Sequence, residues 1–190
     1  MCDVKNIILV GVGGQGTILA SKILSVALVG AGYDVKMSEV HGMAQRGGSV
    51  TTQVRYGTEV HSPVIGLGEA DVLVSFEAME ALRWLEYLKP SGKAVVNTHQ
   101  IPSVPILMGK QPYPERVIER VSEAVETKVL DASGVAEEVG NPRTMNIVLL
   151  GALAKAMDLD AIDWTAAIRA SVKENLAEIN IRAFEAGFRL

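Results

Sequence analysis

The chain has 190 residues, of which 48% are hydrophobic and 21% charged, so it can bury a full core in a single domain. Its 18 basic and 22 acidic residues give a net charge of −4, which argues against general nucleic-acid binding. The single cysteine, Cys2, excludes a disulfide framework and any site built on several thiolates, such as an iron–sulfur cluster or a structural zinc. No apolar run reaches the roughly 20 residues that a bilayer requires, and no signal-peptide pattern is visible, so we expect a cytoplasmic protein.

The first part of the chain predicts the order strand, helix, strand. Residues 7–10 form a short apolar, β-branched run, which is typical of a strand buried on both faces. A glycine loop at residues 11–16 follows, and apolar residues at helical spacing predict a helix over residues 17–29. A second strand over residues 34–40 leads into the polar, glycine-rich segment 41–48.

The next two segments predict a hairpin inserted at one edge of the sheet. Residues 49–56 alternate between apolar and polar side chains, which indicates a half-exposed, antiparallel strand. Residues 60–65 are predicted as its weaker partner, because Pro63 restricts them to an edge or a loop.

The remaining pattern alternates between strands and helices and ends in helices alone. Strands are predicted over residues 71–76, 94–96 and 128–130, helices over residues 78–88, 114–125, 133–139, 144–157 and 163–187, and a loop over residues 98–113. Asp163 is predicted as the N-cap of the last helix, whose apolar stripe includes Leu176. The whole chain, residues 1–190, is therefore predicted as one α/β domain. It is Rossmann-like, with a twisted, mostly parallel sheet, an inserted hairpin and a C-terminal helical segment over about residues 144–190.

The glycine loop carries the first candidate site. Gly11, Gly13 and Gly16 match the pattern G-x-G-x-x-G, which lets backbone amides approach an anion at the start of a helix. Glu39 follows Gly16 by 23 residues, near the spacing at which an acidic residue binds a ribose. One interpretation is a dinucleotide site; the other is a tight turn, which needs the same glycines. The remaining loop candidates are Gly14 and Gln15.

The second candidate site is the segment that starts at Glu39 and ends before Ser49. Arg46 could bind a carboxylate or phosphate with two hydrogen bonds, while Gly47 and Gly48 would let the backbone donate beside it. In the alternative interpretation, Glu39 and Arg46 pair with each other and hold the loop shut. The other candidates in this segment are His41, Gly42 and Gln45. Both candidate loops leave strands at their carboxyl ends, where open parallel sheets bind ligands and partners.

The two loops in this order resemble the gamma subunit, or gamma domain, of the 2-oxoacid:ferredoxin oxidoreductases. The resemblance rests on the sequences VGVGGQG at residues 10–16 and EVHGMAQRGG at residues 39–48, supported by ADVLV at 70–74, Glu77-Ala78 and NIVLLGA at 146–152. It extends from about residue 6 to residue 190. The length and the wording of the second loop are most similar to the beta subunit of the indolepyruvate branch of this family.

The resemblance implies a function and a set of partners. The family oxidatively decarboxylates a 2-oxoacid with coenzyme A, giving an acyl-CoA, carbon dioxide and reduced ferredoxin. Thiamine diphosphate and iron–sulfur clusters are implied on the large partner subunit, with no cofactor and no metal bound by this chain. This chain would pack against that subunit, help to form the active-site region and contact coenzyme A. The resemblance supplies no catalytic residue in this chain, and we expect it to be inactive alone.

Single polar residues elsewhere give weaker signals. Asn146 lies in an otherwise apolar helix, where a buried amide must find a partner. We therefore predict that it supports the structure by a hydrogen bond to a loop carbonyl. His41, His61 and His99 are too scattered for a metal site.

Three functions remain open at this point: a subunit of a thiamine-dependent oxidoreductase, a stand-alone NAD(P)- or flavin-dependent oxidoreductase that uses the glycine loop, and an interaction module that never contacts substrate. Self-association of the isolated chain is expected, because apolar helices need a covering surface.

Overall fold

The computed structural model describes residues 4–42 and 47–190 as a sheet covered by helices on both faces. Its strands are β1 (Lys5–Val12), β2 (Asp34–His41), β3 (Ser49–Gly57), β4 (Ala70–Ser75), β5 (Leu88–Asn97) and β6 (Glu126–Leu130). Its α-helices are α1 (Thr17–Gly30), α2 (Ala78–Trp84), α3 (Val104–Leu107), α4 (Val117–Ala124), α5 (Ala132–Val139), α6 (Met145–Ala156), α7 (Trp164–Ser171) and α8 (Glu174–Arg189). Short 3₁₀ turns follow α2 and precede α6. Within these ranges, no helix combines the length and the apolar character needed to cross a bilayer.

The sheet confirms the predicted mostly parallel α/β architecture. Its strand order is β2-β3-β1-β4-β5-β6, and β1, β4, β5 and β6 are parallel neighbours. The exception is β3, which pairs antiparallel with both β1 and β2. The carboxyl ends of β1, β4 and β5 therefore meet at one edge of the sheet, which we call the carboxyl rim.

The predicted hairpin is wrong in its partner strand. Residues 49–56 do form β3, but β3 pairs with β2, so the hairpin is β2–β3. Residues 60–65 form no strand. Their backbone groups bond side chains instead: the guanidinium Nη1 of Arg55 donates to the carbonyls of Ser62 and Val64 at 3.0 and 3.1 Å.

The core lies on both faces of the sheet, as the apolar run in β1 predicts. Ile7 and Leu9 pack under the larger helical layer, formed by α1 and α5–α8, while Ile8 and Val10 pack under α2 and α4. All four side chains are at most 1% exposed. This double burial fixes β1, and with it the start of the glycine loop, in the middle of the domain.

The last predicted helix is two helices in the structure. Asp163 caps α7 as predicted, since its Oδ1 accepts from the Ala166 amide at 2.9 Å. The chain then becomes extended at Val172, and α8 begins at Glu174. The break changes the phase of the buried face, so Leu176 is 40% exposed although the single-helix prediction buries it.

Two smaller boundaries also differ from the prediction. The segment predicted as a loop over residues 98–113 contains the short helix α3. Helix α2 ends at Trp84, with a 3₁₀ turn over Leu85–Tyr87. Neither difference moves a candidate site residue.

Candidate functional site

The first glycine loop is a tight turn closed by the side chain of Gln15. Its Oε1 accepts from the Val12 amide at 2.8 Å, and its Nε2 donates to the Phe76 carbonyl at 2.8 Å. Gly11 must be glycine here, because a Cβ would lie 2.9 Å from Phe76 Cβ and from Gln15 Oε1. Gly14 and Gly16 have φ values of 105° and 80°, which favour glycine. Gln15 and Phe76 thus fill the point between β1 and β4 where a parallel sheet often binds a ligand.

The second glycine loop bonds directly to the first. The Gly13 amide donates to the Gly48 carbonyl at 2.9 Å, and the Gly47 amide approaches the Gly13 carbonyl at 3.5 Å. The Gly42 amide donates to the Ser49 carbonyl at 3.2 Å and closes the base of the β2–β3 turn. The predicted meeting of the two loops at one rim is therefore present. We call residues 11–16, together with Gly42, Gly47 and Gly48, the paired glycine loops; the candidates Gln45 and Arg46 lie outside the described residues.

Asn146 makes the hydrogen bond that its position in an apolar helix predicts. Its Nδ2 donates to the Gly16 carbonyl at 3.0 Å, and the residue is 4% exposed. A Cβ on Gly16 would lie 2.7 Å from the same Nδ2, so the amide also excludes any side chain at that turn. The Oδ1 atom of Asn146 is buried and has no hydrogen-bond partner within residues 4–42 and 47–190. Helix α6 therefore holds the end of the first glycine loop in place through the bond from Asn146 to Gly16.

Glu39 does not occupy the position that a dinucleotide site requires. It lies on β2, which is separated from β1 by β3. Its carboxylate accepts from Ser21 Oγ of α1 at 3.3 Å and lies 3.5 Å from His41 Nε2. The Gly13 amide, which could otherwise face a diphosphate, is already bonded to Gly48. These contacts do not favour the NAD(P) or flavin interpretation.

A third element of the rim is absent from the predicted site residues. Residues 76–80, which we call the rim hub, run from the end of β4 into the first turn of α2 and bond the first glycine loop, the start of β3 and the segment that follows β5. The Phe76 carbonyl accepts from Gln15 and also from Asn97 Nδ2, at 3.1 Å. Glu77 is fully buried and caps α2, since its Oε2 accepts from the Glu80 amide at 3.0 Å.

The other oxygen of Glu77 holds both ends of the segment that contains α3. Its Oε1 accepts from the Ile101 amide at 3.1 Å and from the Tyr113 hydroxyl at 2.5 Å. The same hydroxyl accepts from the Met79 amide at 3.0 Å. Burial, reinforced by the Glu77 carboxylate, raises the pKa of Tyr113 above its usual range, so the hydroxyl stays protonated and donates.

Glu80 is the second buried carboxylate of the rim hub and contacts Ser49, which directly follows the second glycine loop. It is 2% exposed, and its Oε2 accepts from Ser49 Oγ at 2.6 Å. The Arg83 guanidinium lies 3.3 Å from Oε1. Burial raises the pKa of Glu80, while the Ser49 hydrogen bond and the charge of Arg83 oppose that shift.

Part of the rim hub has a signal in the sequence. Acidic side chains are favoured near the start of a helix, where Glu77 and Glu80 lie, and Glu77 also caps α2 by accepting from the Glu80 amide. Ser49 and Tyr113 have no such signal, because their contacts with these glutamates span 31 and 36 residues.

The polar groups of the rim are engaged mainly with one another. In residues 4–42 and 47–190, no three metal-ligating side chains come together. His61 and His99 are exposed and lie on separate segments. No pairing of a nucleophile with a base emerges from the described contacts of these loops.

Comparison with known proteins identifies the family to which this fold and these loops belong. The chain belongs to the pyruvate ferredoxin/flavodoxin oxidoreductase family, whose model matches residues 6–190. Among curated proteins, it is 42% identical to the indolepyruvate oxidoreductase subunit IorB of Pyrococcus horikoshii, covering 97% of this chain and 94% of the relative. It is 37% identical to the subunit of the same name from Methanothermobacter thermautotrophicus, covering 96% and 95%.

Solved structures show the same fold. The gamma subunit of a keto/oxoacid ferredoxin oxidoreductase from Geobacter sulfurreducens matches with a TM-score of 0.71 and 25% identity, over 97% of this chain and 96% of that one. A 2-oxoglutarate:ferredoxin oxidoreductase from Magnetococcus marinus matches with a TM-score of 0.74 and 22% identity. The match covers 98% of this chain but 30% of that one, so the fold there is one part of a larger polypeptide.

Proposed function

We propose that this chain is the small subunit of an indolepyruvate-type 2-oxoacid:ferredoxin oxidoreductase. The enzyme would convert an aryl 2-oxoacid and coenzyme A to an acyl-CoA and carbon dioxide, with the electrons passing to ferredoxin. The proposal is supported by the relatives named indolepyruvate oxidoreductase subunit IorB, which match over almost their whole length.

The observation that carries the role of this chain is the bonding of the paired glycine loops to each other. The Gly13 amide is satisfied by Gly48, and Gln15 fills the space beside Phe76. Because these groups are engaged within the chain, the rim offers a preformed surface rather than a dinucleotide cradle. We assign this surface to contact with the large subunit and to one wall of the active-site region, including contact with coenzyme A.

The cofactors belong to the large subunit in this proposal. A thiamine diphosphate and iron–sulfur clusters would supply the carbanion chemistry and the one-electron transfers there. A chain with one cysteine cannot hold a cluster through several thiolates, which fits that division. This chain would bind the large subunit, help to orient coenzyme A and enclose one side of the active-site region. It would self-associate when purified without its partner.

Reconstitution with the large subunit of the same source tests the proposal. We expect 2-oxoacid- and coenzyme A-dependent reduction of ferredoxin by the two chains together and none by this chain alone. Turnover by the isolated chain, or failure of the two chains to associate, would contradict it. Micromolar binding of NAD(P), or a yellow flavin that co-purifies, would instead support a stand-alone oxidoreductase.

A further inference from the structure

Ser49 joins the second glycine loop to β3 and lies next to the bond between the two loops. Its own carbonyl accepts from the Gly42 amide, and the carbonyl before it, that of Gly48, accepts from the Gly13 amide. A shift of Ser49 therefore moves the end of the second loop and removes the acceptor of the Gly13 amide. What fixes Ser49 also fixes the contact between the two loops, whereas Gln15 and Asn146 hold the rest of the first loop.

The backbone of Ser49 pairs with Val12 in the ladder between β1 and β3, and its side chain is held from α2. The Ser49 hydroxyl donates to the Glu80 carboxylate at 2.6 Å, a short bond that is typical of a charged acceptor. Helix α2 is itself held in place by the Glu77 cap. The Glu80 side chain thus connects the capped helix α2 to Ser49 by one hydrogen bond.

Burying the Glu80 carboxylate to make that bond costs free energy. The carboxylate is 2% exposed, and burial raises its pKa despite the Ser49 hydroxyl and the Arg83 guanidinium. The other carboxylate facing it is Glu77 of the same helix, and the Tyr113 hydroxyl is nearby. Replacing a buried, partly paired charge by an apolar side chain of similar shape is often neutral or stabilising. Stability alone therefore does not account for a glutamate at this position.

We propose that Glu80 is a positioning residue, which holds Ser49 and thereby the paired glycine loops in the conformation that the large subunit binds. The proposal rests on the proposed function, since it assigns to one side chain the geometry of the surface named there. The proposal predicts that Glu80 strengthens binding to the large subunit but does not increase the stability of the folded chain.

The test uses Glu80→Met, Glu80→Gln and Ser49→Ala in the complex with the large subunit. Methionine fills the site without an acceptor, whereas glutamine keeps one for the Ser49 hydroxyl. We expect Glu80→Met to raise the Kd for the large subunit about tenfold without lowering the melting temperature, and Glu80→Gln to stay within about twofold of wild type. The exposed Glu86, replaced by methionine, is the matched control and should leave both quantities unchanged.

Ser49→Ala should raise the Kd as much as Glu80→Met but lower the melting temperature, because it leaves the buried carboxylate without its donor. The double variant should bind no more weakly than either single variant, since both remove the same bond.

Three results would overturn the inference: a Kd for Glu80→Met within twofold of wild type, additive losses in the double variant, or losses of binding and stability that run in parallel and are not restored by glutamine. Each of these leaves the proposed function standing if the wild-type complex forms and turns over. Failure of the wild-type complex removes the proposed function itself.

Discussion

The carboxyl rim and the crossing of α6 with α8 both depend on glycine, but for opposite reasons. At the rim, glycine frees the backbone to bond: Gly13 and Gly48 join two loops through an amide and a carbonyl. At the crossing, glycine removes volume, because a Cβ on Gly151 would lie 2.1 Å from the Phe184 carbonyl oxygen and one on Gly187 would lie 1.9 Å from that of Val148.

The two regions also differ in the polarity of the residues that they bury. Nine consecutive residues of α6, from Asn146 to Ala154, are buried, and all of them except Asn146 are apolar or glycine. The rim instead buries Glu77, Glu80 and Asn97 and satisfies them with hydrogen bonds. The crossing is thus specified by close packing, and the rim by polar partners whose single bonds contribute a few kcal/mol or less. The two regions are connected, because Asn146 at the start of α6 bonds the Gly16 carbonyl of the first glycine loop.

The largest expected effect comes from breaking the crossing with Gly187→Ala. The added Cβ would meet backbone, which cannot rotate away as a side chain can, so the helices must separate. We expect the free energy of unfolding to fall by more than about 3 kcal/mol in urea denaturation. Gly30→Ala is the control, because it meets nothing within 4 Å at the end of α1 and should be neutral or stabilising by about 0.5 kcal/mol. Equal effects of the two substitutions would contradict the packing argument.

A moderate effect is expected from Tyr113→Phe at the rim. The substitution keeps the ring and removes the hydroxyl that donates to Glu77 at 2.5 Å. We expect a loss of about 2 kcal/mol in the free energy of unfolding. Amide exchange should accelerate in residues 98–113 while the crossing of α6 with α8 is unaffected.

Tyr87→Phe provides the comparison for Tyr113→Phe, because it keeps the ring contact with Trp84. We expect little change there. An unchanged exchange rate around Ile101 in Tyr113→Phe would show that Glu77 does not hold that segment through the tyrosine.

The smallest effect is a pH dependence that comes from Glu80 at the rim, and the apolar crossing of α6 with α8 has no counterpart to it. Burial raises the pKa of Glu80 in the folded state, so the protonated form is the one that folding favours. The stability of wild type relative to Glu80→Gln should therefore increase as the pH falls from 7 through that raised pKa, and level off below the ordinary pKa of a glutamate. Denaturation of both proteins between pH 4 and pH 7 measures the difference. A wild type that loses stability relative to the glutamine variant on acidification would contradict the assigned direction.

Local patterns in the sequence predicted the elements that depend on near neighbours. The buried run of β1, the turn at Gly14 and Gly16, the Asp163 cap and the burial of α6 each follow from residues a few positions apart. The Asn146 bond was predicted in kind, since a buried amide needs a partner, although its acceptor lies 130 residues away. These features can be predicted from the sequence because each follows from the properties of one residue or of residues close to it in the chain.

Errors occurred where two segments compete for the same partner. Residues 60–65 have strand-like composition, but β2 offers a full ladder to β3, while Pro63 lacks an amide donor. The break at Val172 leaves no mark in the apolar spacing, because either side of it is periodic on its own. In the first case the pairing of β3 depends on which strand lies beside it, and in the second the break in the helix depends on how the two halves pack against the core.

The sequence by itself determined the mostly parallel α/β class, the two glycine-bearing segments and their place after strands, because periodicity and glycine content act locally. Only the tertiary structure decided that β3 lies between β2 and β1, that Gly13 bonds Gly48, and that Glu77 and Glu80 join the rim. Those contacts link residues tens of positions apart, and their free energy depends on burial and on distances that appear only when the sheet is assembled.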